Sequence, residues 1–294
     1  MNSTAGVLVD PKLDLDFRRD GVVKLQLFDD SEVQELWKIF NKYKPEIPDG
    51  FYSFTFLPDE NFKKSMSDDI TAIFRNRINA HFKDYKILGG NFLVKSPGDK
   101  GEMITHQDWS VVDELKFWAI TIWCPLQDVN VKNGALQFLR GSHTAFKQTF
   151  RAPTLPQPIE NIHHLVSPRL EQFSLNAGEA VAFSHNIFHA SPPNRTNDLR
   201  VATTLGLIPK DENLCFYFYN ESEKLEKLDV GDDFFLRYYD FSQKPPWAKI
   251  VDEFEYTPSV ITDEEFLAKY PEPSQLPKSK SIFQSLSNFF GVKN

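Results

Sequence analysis

Among the residues suited to chemistry, the most informative are a histidine and an aspartate in the stretch T-H-Q-D-W. His106 and Asp108 stand two positions apart, and residues i and i+2 of a β-strand project from the same face. The spacing predicts an imidazole and a carboxylate that converge on one point, while Gln107 faces the other way. His189 follows another predicted strand 83 residues later. Two imidazoles and one carboxylate form the facial triad that binds Fe(II) and leaves open positions for a chelating cosubstrate and O2.

Each of these residues also has a simpler interpretation. An H-x-D triplet is also found where a surface histidine lies beside a solvated aspartate. His185, four residues before His189, competes as the second histidine. We favour His189 because only this histidine is followed by an S-P-P-N turn and, 11 residues on, by Arg200.

Arg200 adds a second requirement to the predicted site. A turn of this length would return the chain, so that a guanidinium on the next strand reaches the same barrel. A buried arginine needs an anion, and its planar fork fits a carboxylate with two hydrogen bonds. A dicarboxylate that chelates a metal at one end and pairs with Arg200 at the other would satisfy both groups. A surface salt bridge is the simpler interpretation of this arginine taken alone.

Several short motifs follow one another in a fixed order over about residues 88–209. They are H-x-D at 106–108, W-x-P-L at 123–126, N-G-A-L at 133–136, G-S-H at 141–143, G-E at 178–179, H-x-S-x-x-N at 189–194 and then Arg200. This ordered set resembles the phytanoyl-CoA dioxygenase family, whose members are Fe(II)- and 2-oxoglutarate-dependent oxygenases with a double-stranded β-helix core. The family often has P-G-S-H where this chain has R-G-S-H, a difference confined to a predicted turn.

The resemblance assigns roles to particular residues of this chain. It implies three iron ligands: His106, Asp108 and His189. It implies that Arg200 would bind the distal carboxylate of 2-oxoglutarate. It also implies that the pocket around this cosubstrate is lined by Ser191, Trp123 and, by a weaker match, Met103.

The implied activity is that of a 2-oxoglutarate-dependent non-haem iron dioxygenase, with Fe(II) as cofactor and 2-oxoglutarate and O2 as cosubstrates. It would oxidise an unactivated C–H bond of a small-molecule metabolite by hydroxylation, desaturation or oxidative cyclisation, with release of succinate and CO2. Because Asp108 is retained, halogenation is disfavoured. Two alternatives stay open: a cupin-type metalloenzyme that does not use 2-oxoglutarate, and a non-catalytic jelly-roll binding module.

The substrate is less constrained than the reaction. The resemblance does not imply phytanoyl-CoA, and the sequence has no dense basic patch that would hold the phosphates of coenzyme A. The N-terminal helices and the aromatic stretch at 210–241 are expected to shape the pocket, and aromatic walls favour an apolar or partly apolar small molecule. We expect a specialised metabolite or an amino-acid-like acid.

The elements that would position these residues change character along the chain. Apolar residues at helical spacing predict helices over 31–44, capped by Asp30 or Ser31, and over 67–85. From 87 to 209, short β-branched and aromatic runs separated by turns predict seven or eight strands. This order suggests a β-sandwich or barrel with helices outside. With the resemblance, the predicted fold class is mainly β with flanking helices around a jelly-roll, cupin-like core.

We expect a single oxygenase domain over 1–294, without internal repeats. Its predicted parts are N-terminal helices at about 14–86, a jelly-roll core at about 87–209, an aromatic-rich C-terminal region at about 210–270 and an amphipathic C-terminal tail at about 278–294. The aromatic-rich region would be a lid or further core, and a T-D-E-E capping box begins a helix at Thr262. The tail is expected to dock on the body or on a sister subunit, so a homo-oligomer stays open.

Composition excludes several other classes of protein. The chain has 294 residues, a formal net charge of −8, 41% hydrophobic and 25% charged residues, which is ordinary for a globular protein. The acidic balance and scattered basic residues disfavour a nucleic-acid partner. Cys124 and Cys215 are expected to be reduced core thiols. With no signal-like start and no apolar run of membrane-spanning length, the predicted location is cytoplasmic.

Overall fold

The computed structural model describes residues 6–146 and 150–271, so the predicted tail at 278–294 lies outside the described residues. The helices are α1 (Pro11–Asp20), α2 (Asp30–Tyr43), α3 (Glu60–His81), α4 (Ser142–Ala145), α5 (His163–Val166), α6 (Phe234–Arg237) and α7 (Asp263–Lys269). The strands are β1 (Val22–Gln26), β2 (Phe51–Ser53), β3 (Tyr85–Lys95), β4 (Met103–His106), β5 (Ile120–Pro125), β6 (Gln137–Phe138), β7 (Glu171–Gln172), β8 (Glu179–Ser184), β9 (His189–Ser191), β10 (Arg200–Pro209), β11 (Cys215–Tyr219), β12 (Lys224–Asp229) and β13 (Lys249–Glu255).

The strands form three sheets, in which the named strands pair antiparallel. The largest has the order β1-β8-β5-β10-β3-β2, a second has the order β4-β9-β6-β7, and a third has the order β11-β12-β13. An apolar cluster containing Val181 and Phe183 of β8 and Phe138 of β6 joins the first two sheets. These two open sheets and their flanking helices confirm the predicted mainly β class.

The large sheet separates two environments because its side chains alternate. In β10, Val201 and Leu205 belong to the cluster that packs on α2 and α3, whereas Ala202 belongs to the cluster between the sheets. The same alternation places Arg200 and Thr204 on the inner face, where both line a cavity. The period-2 pattern of a strand buried on both faces therefore directs Arg200 inward.

The two predicted helices form with shifted ends. Asp29, rather than Asp30 or Ser31, caps α2, in a capping box with Glu32. The second helix was predicted over 67–85 but begins at Glu60, because Asp59 caps it through the backbone N–H of Phe62. Sequence periodicity identifies the apolar face of such a helix but not the polar first turn in front of it.

The N-terminal region is not only helical, contrary to the prediction for about 14–86. It begins with α1, which Asp10 caps, and it contributes β1 and β2 to the large sheet. β1 pairs with β8, with Val22 opposite Phe183. The core sheet thus extends beyond the predicted range of 87–209 because an edge strand is supplied from before the long helices.

Residues of the C-terminal region predicted as a lid or further core build the third sheet. Within it, the charged stretch K-L-E-K-L-D forms β12, in which Leu225 and Leu228 are fully buried. α6 packs near α3 and brings Phe235 and Leu236 to the wall of the cavity. The helix predicted from Thr262 is confirmed as α7, with the capping box in place. No helix in the described ranges is both long and apolar enough to cross a membrane.

Candidate metal centre

Strand pairing brings the two predicted histidines together. His106 ends β4 and His189 begins β9, and the two residues are direct partners in the antiparallel pair β4–β9. Their ring centroids are 4.2 Å apart. Asp108 lies just beyond the end of β4, where its backbone N–H donates to the carbonyl oxygen of His185 at 3.0 Å. The ligand candidates therefore converge, although the strand that was expected to carry His106 and Asp108 stops before the aspartate.

Three potential metal-binding atoms meet at this point. One ligand atom each of His106, Asp108 and His189 lies within 4.8 Å of the other two. Nε2 of His189 is 3.7 Å from Oδ1 of Asp108. His185 is not part of this group. In the described part of the chain, the geometry therefore agrees with the choice of His189 over His185.

Hydrogen bonds at the back of each side chain orient these atoms. Nδ1 of His106 lies 2.7 Å from the carbonyl oxygen of Ile104, and Nδ1 of His189 lies 3.0 Å from that of Ile187. A carbonyl oxygen only accepts, so both rings carry their proton on Nδ1 and present a bare Nε2.

The carboxylate of the group is anchored in the same way. Thr121 donates its hydroxyl to Oδ2 of Asp108 at 2.8 Å. This leaves Oδ1 toward the histidines. Two neutral imidazole nitrogens and a carboxylate oxygen are the donor set that a non-haem Fe(II) site requires, so the residues present fit this metal.

The protonation states also suit metal binding. Burial, followed by the neighbouring His106, lowers the pKa of His189 to about 4. Burial alone would raise the pKa of Asp108, but the adjacent histidines, His189 first, hold it below its usual value. Both groups are therefore deprotonated at neutral pH, which is the form that coordinates a metal.

Arg200 lies in the wall of the same cavity, at the start of β10. It is 1% exposed, and its guanidinium carbon is 5.2 Å from the ring centroid of Trp123. Its Nε and Nη1 have no hydrogen-bond partner among the described residues. Burial lowers the pKa of Arg200 to about 9. An unsatisfied guanidinium in an apolar wall is costly to bury, so this site fits an anionic ligand such as a carboxylate.

The remaining predicted residues lie in the same wall. Trp123, Ser191 and Met103 all line a cavity of about 540 Å³ with the metal-binding group. Met103 and Ser191 are partners in β4–β9. The hydroxyl of Ser191 already donates to the carbonyl oxygen of Gly134 at 2.9 Å and accepts from Nζ of Lys95 at 2.6 Å. Ser191 therefore lines the pocket, but its hydroxyl is already hydrogen-bonded within the protein.

Lys95 is a residue of this site that sequence reasoning missed. It is fully buried and is the β3 partner of Arg200. Its Nζ donates to the backbone oxygens of Ser191 and Pro192, at 2.7 Å and 2.5 Å, and to the Ser191 hydroxyl. The sequence signal for Lys95 was its place in the predicted strand NFLVK. Leu93 of this strand faces inward, so alternation places Lys95, two residues on, on the same inner face. Its three partners come from β9 and the following turn, which no local pattern shows.

A buried ion pair supports the backbone of the metal-binding loop, and it was also missed. Arg151 and Glu114 form a contact of 2.7 Å between side chains that are 2% and 5% exposed. Nε of Arg151 donates to the carbonyl oxygen of Asp108 at 2.6 Å. The pair holds the loop that carries Asp108. These two residues are 37 positions apart and carry no motif.

The chain is similar to a known protein family. The family model described as Phytanoyl-CoA dioxygenase (PhyH) matches residues 17–202. A phytanoyl-CoA dioxygenase of Arabidopsis thaliana is 27% identical over 135 residues, which cover 42% of this chain and 45% of that protein. Phytanoyl-CoA dioxygenase 1 of Oryza sativa subsp. japonica is 25% identical over 156 residues, covering 51% and 53%. The chain spans about half the length of the curated relatives it matches.

The fold is also found among solved structures. Apo HygX of Streptomyces hygroscopicus superposes with a TM-score of 0.50 at 15% identity, over 69% of this chain and 87% of that one. The predicted fold is thereby confirmed. The range matched by the family model contains both histidines, Asp108 and Arg200, and it covers more than half of the sequence. On these grounds the chain belongs to the phytanoyl-CoA dioxygenase (PhyH) family.

Proposed function

We propose that this chain is an Fe(II)- and 2-oxoglutarate-dependent oxygenase that oxidises a C–H bond of a small molecule. His106, Asp108 and His189 would hold the iron, and Arg200 would bind the distal carboxylate of 2-oxoglutarate. The observation that carries the proposal is the meeting of three ligand atoms within 4.8 Å in the wall of a cavity that is also lined by the buried Arg200, whose Nε and Nη1 have no hydrogen-bond partner among the described residues.

The residues of the chain prepare the site for the metal and its cosubstrate. When bound, iron with 2-oxoglutarate and O2 supplies the oxidation of an unactivated C–H bond, with succinate and CO2 as products. The Nδ1 hydrogen bonds of His106 and His189 hold both rings in the metal-binding tautomer. The Thr121 hydroxyl fixes one oxygen of Asp108 and leaves the other for the metal.

Arg200 distinguishes this proposal from a cupin-type enzyme without 2-oxoglutarate. A planar guanidinium with free N–H groups binds a carboxylate with two parallel hydrogen bonds. Trp123 covers the guanidinium, and Lys95 fixes the neighbouring Ser191 through two hydrogen bonds and Pro192 through a third. In a metal site that does not bind a dicarboxylate, the guanidinium of Arg200 would stay buried without an anion, at a cost in free energy.

The wall beyond the metal centre would hold the substrate. It is mostly apolar, which suits a small metabolite and excludes water from the reacting carbon. Hydroxylation, desaturation and oxidative cyclisation are all within this proposal, because the position of the target C–H bond decides among them. The two free, buried cysteines fit the proposed cytoplasmic, reducing location.

An anaerobic spectroscopic titration tests the proposal. Addition of Fe(II) and then 2-oxoglutarate to the protein should produce a weak visible charge-transfer band at one equivalent of each. His106→Ala and Asp108→Ala should abolish the band, since each removes a ligand. His164→Ala is the matched control, because His164 is exposed and lies outside the metal-binding group, and it should leave the band unchanged.

Three other outcomes would contradict the proposal. Metal binding without a 2-oxoglutarate-dependent band would favour a cupin-type metalloenzyme. Absence of metal uptake would favour a binding module. A normal band in His106→Ala or Asp108→Ala would place the metal elsewhere.

A further inference from the structure

The cavity has a second end, distant from Arg200, and its chemistry is different. Arg200 is opposite Lys95 in the β10–β3 pair, whereas Gly90, five residues along β3, is opposite Leu205. At a rise of about 3.3 Å per residue, this separates the two positions by roughly 16 Å. We call the distant part the substrate end; its wall is formed by aromatic and aliphatic side chains: Phe54, Phe56, Met66, Leu88, Trp109, Phe235 and Leu236.

The cation in this part of the wall is already fully engaged. Lys63 is 1% exposed, and its Nζ donates to three backbone carbonyl oxygens: those of Thr55 at 3.1 Å, Phe235 at 3.1 Å and Tyr238 at 2.6 Å. An ammonium group has three N–H bonds, so none is left for a ligand. Among the residues that line the cavity, the other side chains with a full charge are Asp108 and Arg200, which belong to the metal and cosubstrate sites.

His185 supplies a free hydrogen-bond acceptor beside the metal centre. It lines the cavity and is 7% exposed. Its Nδ1 lies 3.0 Å from the carbonyl oxygen of Trp109, so the neutral ring carries its proton on Nδ1. Nε2 is then a bare acceptor, and it has no partner among the described residues. A buried polar atom without a partner is rare, and in a ligand cavity it indicates a group that the ligand satisfies.

We propose that the substrate is a neutral, largely apolar molecule whose hydroxyl or N–H group donates a hydrogen bond to Nε2 of His185. The proposal rests on the oxygenase function proposed above and assigns the substrate class of the same site. His185 is then a specificity-determining residue. Its hydrogen bond fixes a polar group of the substrate beside the iron ligands, while the aromatic wall holds the apolar remainder.

This arrangement selects against acids, including the amino-acid-like acid expected from the sequence. A carboxylate or a phosphate in this part of the cavity would meet mostly apolar side chains and the neutral amides of Asn91 and Gln157, while Lys63 is already engaged by three carbonyl oxygens. With no lysine or arginine that has a free N–H among the residues lining this end, desolvation of the anion would be poorly compensated. A coenzyme A thioester would meet the same difficulty if its phosphates entered the cavity.

Binding to matched probes tests the proposal on the full chain. One set is geraniol, its methyl ether and geranate; the other is 4-phenylbutan-1-ol, its methyl ether and 4-phenylbutanoate. Dissociation constants come from calorimetry and from quenching of tryptophan fluorescence, since Trp109 lines the cavity. We expect each alcohol to bind about tenfold more tightly than its ether, as for one buried hydrogen bond, and more tightly than its acid. Equal binding within a set, tighter binding of the acid, or no binding of either alcohol at millimolar concentration overturns the proposal.

Two variants locate the selectivity. His185→Leu removes the acceptor and should reduce the alcohol-to-ether ratio from about tenfold to about one, because the ether makes no such bond. His185→Gln, which can place an amide near the position of Nε2, should restore part of the ratio. His164→Leu is the control at an exposed histidine and should leave the ratio unchanged. An unchanged ratio in His185→Leu would contradict the proposal.

The metal-dependent spectrum separates this proposal from the proposed function. Binding is measured first on metal-free protein, so the selectivity can be correct even where the 2-oxoglutarate-dependent band is absent, which would overturn only the oxygenase function. Conversely, a normal band together with acid-selective binding would overturn only the substrate class. Loss of the band in His185→Leu would assign His185 to the metal centre and would contradict its role as a substrate contact.

Discussion

Two buried cations in the wall of one cavity have opposite hydrogen-bond environments. Lys63 and Arg200 are both 1% exposed. Every N–H of the Lys63 ammonium is directed to a carbonyl oxygen, whereas Nε and Nη1 of Arg200 have no partner among the described residues. Burial alone therefore does not identify a binding residue. A cation whose N–H groups are all hydrogen-bonded within the protein supports the fold, whereas a buried cation with free N–H groups in a cavity wall is suited to bind an anion.

Lys95 supports this distinction from within the cosubstrate site. It is the β3 partner of Arg200, yet its Nζ has three acceptors on Ser191 and Pro192. We therefore assign Lys95 to positioning of β9, which carries His189. Arg200 is the group that contacts the cosubstrate.

The largest expected effect is on cosubstrate affinity. Arg200→Met should raise the dissociation constant of 2-oxoglutarate by about 100-fold or more, because truncating one member of a buried charge pair costs about 2–5 kcal/mol. Arg200→Lys, which retains the charge but not the planar fork, should lie between this variant and the original protein. The anaerobic Fe(II) band, followed as 2-oxoglutarate is added, measures both constants. Unchanged affinity in Arg200→Met would show that this guanidinium does not bind the cosubstrate.

The second effect is on stability, at the other cation. Lys63→Met should lower the free energy of unfolding by about 2 kcal/mol, because it removes three hydrogen bonds and leaves buried carbonyl oxygens without a donor. Urea denaturation measures this change. Lys64→Met is the control on the same helix; Lys64 is partly exposed, with a 2.7 Å ion pair to Glu60, and its loss should cost less than about 0.5 kcal/mol.

At Arg200, the same type of substitution should change the free energy of unfolding in the opposite direction. In the absence of 2-oxoglutarate, Arg200→Met should raise the free energy of unfolding by about 1 kcal/mol, because an apolar side chain of similar size replaces an unpaired buried charge. The same urea experiment reports this value, and addition of 2-oxoglutarate should reverse the order, since the tighter-binding original protein is stabilised more by it. Destabilisation of the metal-free protein by Arg200→Met would mean that the guanidinium is satisfied in some other way.

The smallest effect concerns pH at Lys63. Burial lowers the pKa of Lys63 to about 8, from 10.5. Between these two values the unfolded chain binds a proton that the folded chain has released, so the stability contributed at this position rises with pH. The difference in unfolding free energy between the original protein and Lys63→Met should therefore grow from pH 8 to pH 10. Parallel pH profiles for the two proteins would contradict this pKa shift.

The part of the site that sequence reasoning predicted depends on short-range patterns. The i, i+2 spacing of His106 and Asp108 and the turn between His189 and Arg200 are local. Strand alternation directs Arg200 inward, whereas Asp108 lies beyond the end of β4 and reaches the histidines from the following loop. The hydrogen bonds of the buried Lys63 ammonium, in contrast, join distant parts of the chain. The carbonyl partners of Lys63 are residues 55, 235 and 238, and their distances along the chain give no periodic signal.

The fold shows the same division. The strands at 91–95 and 179–183 were predicted because buried, β-branched runs between turns are a local signal. β1 was missed, although Lys24 and Gln26 alternate with buried Val23 and Leu25. This period-2 signal is only five residues long and lies next to two helices. The charged stretch that forms β12 was not recognised because its two buried leucines become meaningful only when β11 and β13 are paired with it.

A crystal structure of the protein with Mn(II) in place of Fe(II) and with 2-oxoglutarate would test the proposed metal and cosubstrate sites most directly. We expect one metal ion bound by Nε2 of His106, Oδ1 of Asp108 and Nε2 of His189, with the distal carboxylate of 2-oxoglutarate on the guanidinium of Arg200. A metal ion bound by His185 in place of His189, or a distal carboxylate away from Arg200, would contradict this expectation.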